Sequence, residues 1–569
     1  MSHSIKLWLS VAAVIAAALL TVPAGAGAHA ERQTFFPDPN QGDFPVYRTD
    51  GTSLIVCAPD SRTYINRIQD NNIRRDNNRL LARCRIHNIQ VAVDRARNNY
   101  RIQILPGHYR ELLSRRPPPP GCEGIYDKVA NGQVLSYDEQ RQCPNAQNLI
   151  AVLGDTDGNG VCDSKCNLQI EGTGDSPDDV VIFGDRSVPV PQNKLNLLRA
   201  DRADGIYIRN MKFQYSDFNN VYVLETNGFR IDNVISAYSR EYGILSFTSD
   251  HGIYENCEAY GNGDSGVYPG SGPDARHGQP DARGLVYGIV IRNCDSHDNV
   301  IGSSGTAGNG TWMYHNRFHN NGAGITTDSF ASGHPGMPQD SSKWSENLIY
   351  SNNRFDLFAD DRDQYCKQPA VQRDPKIVCP TFQVPVGTGM LIAGGNNNVV
   401  ANNYIFDNWR NGTMLFWVPA TLRGESDNAR NYDTSGNNMY TGNCMSTHPA
   451  VVDPAQVDFS QCLGTRDSNG TDLWWDEEEG QDCDPNQSGC VDTDTTRGNC
   501  WSSNYSTDGD VPSSNPNSLL MPGCPGNDLF RPGNSEKQAF LVPCATWDPA
   551  TNTDPPGCDW FTPQPEPQP

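Results

Sequence analysis

The chain has 569 residues, 67 acidic and 44 basic side chains, and a formal net charge of −23. This acidity argues against nucleic acid as a partner, because the phosphate backbone binds to basic surfaces. The remaining classes of partner are neutral sugars, cations such as Ca²⁺, and anionic polymers held through cations. Alternatively, the acidity serves solubility alone.

The first thirty residues predict a secretory signal peptide. Lys6 precedes an apolar run, residues 7–22, and the small-residue site Ala28-His29-Ala30 follows it. The run could also be read as a membrane anchor, but the small residues at −3 and −1 favour cleavage before Glu31. No later segment is long and apolar enough to span a bilayer, so we expect a secreted, extracellular protein with no membrane partner.

The eighteen cysteines also indicate an oxidising compartment, since an even number allows up to nine disulfides. Most lie in the N-terminal and C-terminal thirds. The middle pair, Cys257 and Cys294, each follow an Asn and should stack one coil apart, as a disulfide or as two buried thiols.

Residues 31–84 are predicted to form an N-terminal extension, and the stretch after it predicts a cap. An amphipathic helix is expected from Ile89 to about Arg97, followed by a strand and a Pro-Gly turn. Such a helix would plug the open end of a solenoid.

One loop has the pattern of a calcium site, "GDTDGNGVCDSKC", residues 154–166. It spaces four oxygen-bearing side chains around two glycines that permit a tight wrap: Asp155, Asp157, Asn159 and Asp163. The loop resembles thrombospondin-type calcium repeats, although position twelve is Cys166 rather than a bidentate Glu. We expect a structural Ca²⁺ here; an ordinary Asp/Gly turn is the alternative.

From about residue 200 to 445 short apolar strands recur, each followed by Asn and a turn, with a period near 23 residues. The leading residues are Asn210, Asn233, Asn256, Asn293, Asn316, Asn347, Asn403 and Asn438. Such strands cannot bury an apolar face alone, so the coils must stack as parallel strands. The pattern predicts an all-β fold, a right-handed parallel β-helix over residues 85–450, with an Asn ladder at its turns.

The C-terminal region is acidic and rich in cysteine, which predicts an irregular, disulfide-rich cap over residues 451–560. Residues 561–569 are predicted to be a disordered tail.

The helix, "ILPGHYRE", "LQIEGTGDSPDDVVIFG" and the Asn-marked coils together resemble the pectin-lyase-like right-handed β-helix superfamily. More narrowly, "YGNGDSGVYPGS", "VPVGTGMLIAGGNN" and "DNWRNGTMLFWVPA" are similar to a group of secreted actinobacterial β-helix proteins with no established activity. The resemblance implies a fold and a secreted location. It implies no reaction.

Extra residues occur between Asn262 and Asn293, Asn321 and Asn347, Asn352 and Asn403, and Asn408 and Asn438. Each insert follows the second Asn of a coil, and this shared phase predicts that all four wall a groove on one side.

Titratable and aromatic residues on this side are the candidate site. The catalytic candidates are Asp264, Asp328, His277 and Asp360, and the substrate-binding candidates are Tyr268, Arg276, Arg283, His334 and Trp417. Paired carboxylates about 5–9 Å apart would suit glycoside hydrolysis. Alternatively, Ca²⁺ would hold a uronate while Arg276, His277 or Arg283 takes a proton.

Purely structural roles for these residues stay open, because Asp favours turns and Trp often packs at the end of a β-helix core. The catalytic signatures of galacturonan hydrolases, pectate lyases and alginate epimerases are absent as complete sets. We therefore expect a secreted β-helix protein that binds an extracellular polysaccharide in this groove. Two alternatives remain: a polysaccharide lyase or glycoside hydrolase, and a non-catalytic adhesin or structural protein.

Overall fold

The chain winds into a parallel β-helix whose successive coils build three parallel sheets. The computed structural model describes residues 31–273, 279–280, 284–330, 334–423, 425–427, 430–479, 498–525, 533–544, 547–548 and 554–568. We number the sheets 1, 2 and 3 in the order in which a coil visits them. This is the all-β solenoid that the sequence predicted.

The strands of each sheet are parallel and follow one another coil by coil. Sheet 1 contains Ser53–Val56, Arg101–Ile104, Gln169–Gly172, the first parts of Ile206–Gln214 and Asn227–Ala237, Asp250–Glu255, Ile289–Arg292, Thr311–Tyr314, Lys343–Ser345, Val399–Ala401, Met439–Thr441 and Cys500–Ser502. Sheet 2 contains Gly107–Tyr109, Val180–Phe183, the second parts of those two long strands, Glu258–Tyr260, Asp295–His297, Arg317–His319, Leu348–Tyr350, Tyr404–Phe406 and Cys444–Met445. Sheet 3 contains Asn148–Leu153, Asn196–Asp201, Asn219–Leu224, Ile244–Phe247, Ser265–Gly270, Ile301–Ser303, Ala323–Asp328, Thr388–Ala393, Asn411–Phe416, Leu473–Trp475 and Ser514–Asn515.

Short helices and two small hairpins lie outside the three sheets. The α-helices are Ser61–Ile65, Asn71–Arg83, Ile89–Arg95, Glu123–Ala130, Tyr137–Gln142, Asp360–Cys366 and Ser535–Cys544. The 3₁₀ turns include Pro177–Asp179, Phe355–Phe358, Ala370–Gln372, Ala420–Arg423, Thr507–Gly509 and Ser518–Leu520. The hairpins pair Gln279–Pro280 with Val286–Tyr287 and Thr447–His448 with Thr465–Arg466.

The core is a column of inward side chains in strict register. In sheet 1 the column is Ile208, Ile231, Tyr254, Ile291, Met313, Trp344, Val400, Tyr440 and Trp501. Burying this apolar column supplies the main driving force for stacking the coils. Helix Ile89–Arg95 covers one end of the core with three buried apolar side chains. The rings of Trp475 and Trp501 lie near the other end, with centroids 4.9 Å apart.

Asparagine ladders line all three corners of the coil. Between sheets 1 and 2 the ladder is Asn316, Asn347, Asn403, Asn443 and Asn504; between sheets 2 and 3 it is Asn262, Asn299, Asn321, Asn352, Asn408 and Asn469; between sheets 3 and 1 it is Gln339, Asn398, Asn438 and Asn499. The eight leading asparagines of the sequence pattern therefore do not occupy one position. Asn438 belongs to a different corner, and Asn210, Asn233, Asn256 and Asn293 are left-handed turn residues with φ of 53–54°.

A column of glycines makes room for the ladder between sheets 2 and 3. Its members are Gly243, Gly266, Gly302, Gly324, Gly389 and Gly412. A Cβ atom at any of them would lie 2.8–3.0 Å from the Nδ2 atom of a ladder Asn. The ladder therefore requires glycine at this position of the coil.

The stacked strands extend beyond the range 85–450 in both directions. Ser53–Val56 pairs with Arg101–Ile104, so part of the predicted N-terminal extension is the first strand of sheet 1. Leu473–Trp475 and Cys500–Ser502 continue sheets 3 and 1 inside the Cys-rich region. The sequence pattern did not reveal these coils, because long segments between their strands interrupt the 23-residue period.

Eight disulfides join the described cysteines: Cys57–Cys84, Cys122–Cys143, Cys162–Cys166, Cys257–Cys294, Cys366–Cys379, Cys444–Cys462, Cys500–Cys524 and Cys544–Cys558. The pair that the sequence left open, Cys257 and Cys294, is thus a disulfide between neighbouring coils. So many disulfides are typical of proteins in oxidising compartments. Within the described residues, no helix is long and apolar enough to cross a membrane.

Candidate functional site

Long segments flank sheet 3 at both edges. Segments 271–288, 329–342 and 417–438 follow sheet 3 strands and lead to sheet 1. Segment 351–387 leads from sheet 2 to the strand Thr388–Ala393, and segment 446–472 leads to Leu473–Trp475. The four inserts therefore do not share one phase, because three of them follow a sheet 3 strand and the third precedes one. That they wall a groove stays a prediction.

The outer face of sheet 3 carries a buried group that we call the acid–tyrosine cluster, consisting of Glu241, Tyr242, Asp264, Tyr268 and Asp328. Glu241 and Asp264 occupy the same position in successive coils, and the Asp264 amide donates to the Glu241 carbonyl at 3.1 Å. The Tyr242 and Tyr268 rings pack with centroids 4.4 Å apart. The two tyrosines join Tyr222, Leu224, Leu245 and Phe247 in one apolar patch.

Hydrogen bonds from Thr306 and Phe330 hold the Tyr268 and Asp328 side of the cluster. The Thr306 amide donates to the Tyr268 hydroxyl at 3.3 Å, and the Thr306 hydroxyl donates to Asp328 Oδ2 at 3.1 Å. The Phe330 amide donates to Asp328 Oδ1 at 3.0 Å. By contrast, Asp264 Oδ1 and Glu241 Oε2 are buried and accept no hydrogen bond from the residues that the structure describes.

Burial sets the protonation of the three carboxyl groups. Burial, reinforced by the charge of Asp328, raises the pKa of Asp264 to about 7, although the Ser265 and Tyr242 hydroxyls oppose the shift. Burial raises the pKa of Asp328 to about 6 against the stabilising Phe330 amide. Burial and the charge of Asp264 raise the pKa of Glu241 to about 8. Near neutral pH the cluster therefore contains both protonated and ionised carboxyls, as general acid–base chemistry requires.

The structure brings together three of the nine candidates, Asp264, Asp328 and Tyr268. His334 lies nearby on the same patch, where its ring packs edge-to-face on Phe247 with centroids 5.1 Å apart. His277, Arg276 and Arg283, with the neighbouring Asp274 and Asp281, lie outside the described residues.

The other two candidates are placed elsewhere. Trp417 stacks on Tyr432 within segment 417–438, and its Nε1 atom donates to the Asn431 carbonyl at 2.6 Å. Asp360 is exposed in the first turn of helix Asp360–Cys366. Neither contributes a contact to the acid–tyrosine cluster among the described residues.

Sequence analysis missed Glu241 and Tyr242. Glu241 precedes Asp264 by one 23-residue period, so an acid repeated at one coil position was the available signal. It went unnoticed because no Asn marks that coil near residue 241.

The predicted calcium loop is closed by its own hydrogen bonds. Asp155 Oδ2 pairs with Arg202 Nη1 at 2.7 Å, and its carboxylate also accepts from the Gly158 and Gly160 amides. Asp163 accepts from the Thr156 amide and hydroxyl. Calcium binding by Asp155, Asp157, Asn159 and Asp163 stays a prediction.

A second group of potential metal ligands lies outside the predicted calcium loop. In the described part of the chain, three such atoms lie within 4.8 Å of one another at Cys57, Cys84 and His87. The two cysteines are joined as a disulfide, so their sulfur atoms are not thiolate ligands.

Residues 192–335 match the family model described as "Right handed beta helix region". This match identifies the parallel β-helix as right-handed. No protein of curated function matches this β-helix in sequence.

Solved structures resemble the β-helix at low sequence identity. The A-module of mannuronan C-5 epimerase AlgE4 from Azotobacter vinelandii has a TM-score of 0.37 at 11% identity, covering 74% of this chain and 90% of that one. Pectate lyase Pel9A has a TM-score of 0.34 at 10% identity, with coverages of 84% and 82%. DFA-IIIase from Arthrobacter chlorophenolicus has a TM-score of 0.33 at 11% identity, with coverages of 76% and 84%.

Proposed function

We propose that this β-helix is secreted, binds an extracellular polysaccharide along the outer face of sheet 3, and processes it by acid–base chemistry at the acid–tyrosine cluster. The observation that carries the proposal is the meeting of Asp264 and Asp328, two carboxyls with raised pKa values, on one face. Groups tuned in this way are typical of catalytic sites. The segments at both edges of sheet 3 would keep an extended polymer over this face.

In this proposal the two aspartates of the cluster have separate roles. Asp264, with the higher pKa, would carry the proton that is donated to the glycosidic oxygen, and ionised Asp328 would activate water or attack the sugar. Burial also keeps the Tyr242 and Tyr268 hydroxyls neutral by raising their pKa values, so they would act as hydrogen-bond donors. In an elimination reaction the ionised carboxyl would instead remove a proton from the ring.

Burial of the cluster favours a second candidate, a binding protein without turnover. Asp264 and Asp328 are each 4% exposed, so a polymer reaches them only when the covering side chains move. In this second case the carboxyls would stabilise the face without touching the ligand.

Incubation with panels of neutral and uronic-acid polysaccharides separates these functions. If the cluster is catalytic, the protein releases new reducing ends or unsaturated products, and Asp264→Asn and Asp328→Asn each lower the rate at least a hundredfold. Asp50→Asn, an exposed acid in the N-terminal segment, is the matched control and should leave the rate unchanged. Binding without products, equal in all variants, would identify the non-catalytic candidate, and neither binding nor products would contradict both.

A further inference from the structure

A separate cavity lies where segment 351–387 meets the corner between sheets 2 and 3. The Cys366–Cys379 disulfide closes the segment on itself. The Thr381 amide and hydroxyl both donate to the Gly263 carbonyl, at 2.9 and 3.1 Å, and fasten it to the coil. The cavity is partly open to solvent and has a volume of about 80 Å³. It is therefore a built site rather than a gap under a loose loop.

Three arginines line this cavity: Arg186, Arg240 and Arg373. Among the described residues two carboxyl groups act on them: Asp217, which lies 3.5 Å from Arg240 Nη1, and Glu241, which stays protonated near neutral pH because burial raises its pKa to about 8. Three guanidinium groups against one carboxylate leave an excess of two positive charges. Burial lowers the pKa of Arg186 to about 10; the charge of Asp217 opposes this shift, and the charges of Arg240 and Arg373 reinforce it.

Two of these guanidinium groups have unused donors. Arg186 is 8% exposed, and its Nη1 atom donates to the Pro375 carbonyl at 3.3 Å. The Nε atoms of Arg186 and Arg373 are buried and donate to no acceptor in the described part of the chain. A buried donor without an acceptor costs free energy, and so does a charge without a counter-charge. An anion in the cavity would satisfy both.

We propose that this cavity binds a tetrahedral dianion, a sulfate or phosphate group. Two negative charges balance the excess of two positive charges, whereas a single carboxylate would leave one uncompensated. Arginine presents its donors in a fork that matches tetrahedral oxyanions, and charge-assisted hydrogen bonds of this kind are among the strongest in proteins. The cavity is large enough for such a group but not for a sugar ring. This inference does not depend on the proposed polysaccharide function.

A second cavity adjoins the first and indicates where the rest of an ester would lie. It has a volume of about 260 Å³ and shares Gly261, Ile377 and Val378 with the arginine cavity. Its lining includes the rings of Tyr238 and Tyr260, with centroids 5.2 Å apart, and the side chains of Arg354, Arg362 and Lys376. A free inorganic anion would use the small cavity alone. A sulfate or phosphate ester would use both.

Calorimetric titration at constant ionic strength tests the proposal, with sulfate, phosphate and chloride as probes. We expect saturable binding of sulfate and phosphate, at least tenfold tighter than chloride, and a rise in Tm of a few degrees. Glucose 6-phosphate and glucose then identify the source: tighter binding of glucose 6-phosphate than of phosphate indicates an ester ligand, and equal binding indicates a free anion. Either result supports a dianion site, whereas equal effects of sulfate, phosphate and chloride would overturn it.

Substitutions of the arginines test whether the anion binds in this cavity. Arg373→Gln, on the outer segment, should weaken sulfate and phosphate binding at least tenfold, and Arg373→Lys should retain part of it. Arg62→Gln, on an exposed helix, is the control and should bind as the parent does. If Arg373→Gln binds normally while its circular dichroism matches the parent, the anion lies elsewhere and the inference is wrong. Should that variant fail to fold, Arg240→Gln, whose side chain is 43% exposed, provides the same comparison.

Discussion

Asp264 shows how individual residues on the outer face of sheet 3 depart from what stability alone would favour. Its carboxyl is buried, one of its oxygens has no hydrogen-bond partner in the described chain, and Asp328 adds a second negative charge. Each pKa unit of such a shift corresponds to about 1.4 kcal/mol. A structural role would not require a carboxylate here, because a buried amide or apolar side chain avoids the cost.

This cost predicts a pH-dependent stability. The pKa of Asp264 is about 7 in the folded protein and about 3.9 in the unfolded chain, so the folded state binds more protons between these values. Stability linked to Asp264 is therefore present below about pH 4 and is lost as the pH rises through 7. We expect Asp264→Asn to gain stability over the parent across this window, on the order of 4 kcal/mol at most.

Denaturant unfolding at intervals from pH 4 to 8 measures this difference. The pKa of Asp328 is about 6, so Asp328→Asn should gain less stability than Asp264→Asn. Its gain should stop rising above about pH 6, whereas that of Asp264→Asn rises to about pH 7. A constant difference between Asp264→Asn and the parent across the range would show that Asp264 is not buried as a carboxyl in solution.

The sequence predicted residues of the acid–tyrosine cluster better than those of the arginine cavity. Asp264, Tyr268 and Asp328 were predictable, because they stand beside repeat-marked strands that share one face. Arg186, Arg240 and Arg373 were not, because segment 351–387 follows no repeat and its contact with a distant coil depends on tertiary packing. The period of a solenoid gives the strands, while the segments between them are placed by contacts that the period does not encode.

At the level of structural elements, asparagine serves two functions that spacing alone does not separate. Some asparagines adopt the left-handed turn, as Asn293 does with φ of 54°. Others form the buried amide ladders, as Asn352 does. Both follow a strand and precede a turn, so the sequence predicted one ladder where the structure has three.

The ladder between sheets 2 and 3 should be a major source of stability. Asn352 donates to Asn408 Oδ1 and the Phe318 carbonyl at 3.0 and 3.1 Å, and accepts from the Asn321 amide group at 3.0 Å. Asn352→Ala removes these three bonds and a fourth, which the Asn321 backbone amide donates to Asn352 Oδ1 at 3.2 Å. A buried polar group that loses its partner costs about 1–3 kcal/mol. We expect a loss of about 3 kcal/mol or more in the free energy of unfolding, measured by denaturant titration.

The matched control for the ladder is Asn293→Gly. Asn293 is exposed and left-handed, a conformation that glycine adopts without strain, so the expected change is a few tenths of a kcal/mol. Equal losses in the two variants would mean that the ladder contributes nothing beyond its turns.

At the scale of the whole molecule, both ends of the sheet 3 face are covered by chain from outside the coils. At the C-terminal end, Phe561 stacks on Phe358 and Asp559 pairs with Arg410 at 2.9 Å. Phe561, expected in a disordered tail, is thus buried because an apolar patch receives it. At the other end the segment that begins at Glu31 crosses the face. The acid–tyrosine cluster lies on coils between the two covers.

The ion pairs of the N-terminal segment predict that this segment stabilises the sheet 3 face. Arg32 bridges Asp201 and Glu225 at 2.8 Å each, while Glu31 pairs with the buried Arg199 at 2.9 Å. Arg32→Met would leave Asp201 and Glu225 with less compensation in a buried network, and removing one member of such a network costs about 3–5 kcal/mol. In the secreted chain, which we expect to begin at Glu31, this variant should lower the free energy of unfolding by that amount. Arg62→Met, at an exposed helical site, should change it by less than about 0.5 kcal/mol. Equal stability of the two variants, measured by denaturant titration, would show that the N-terminal segment does not hold the sheet 3 face.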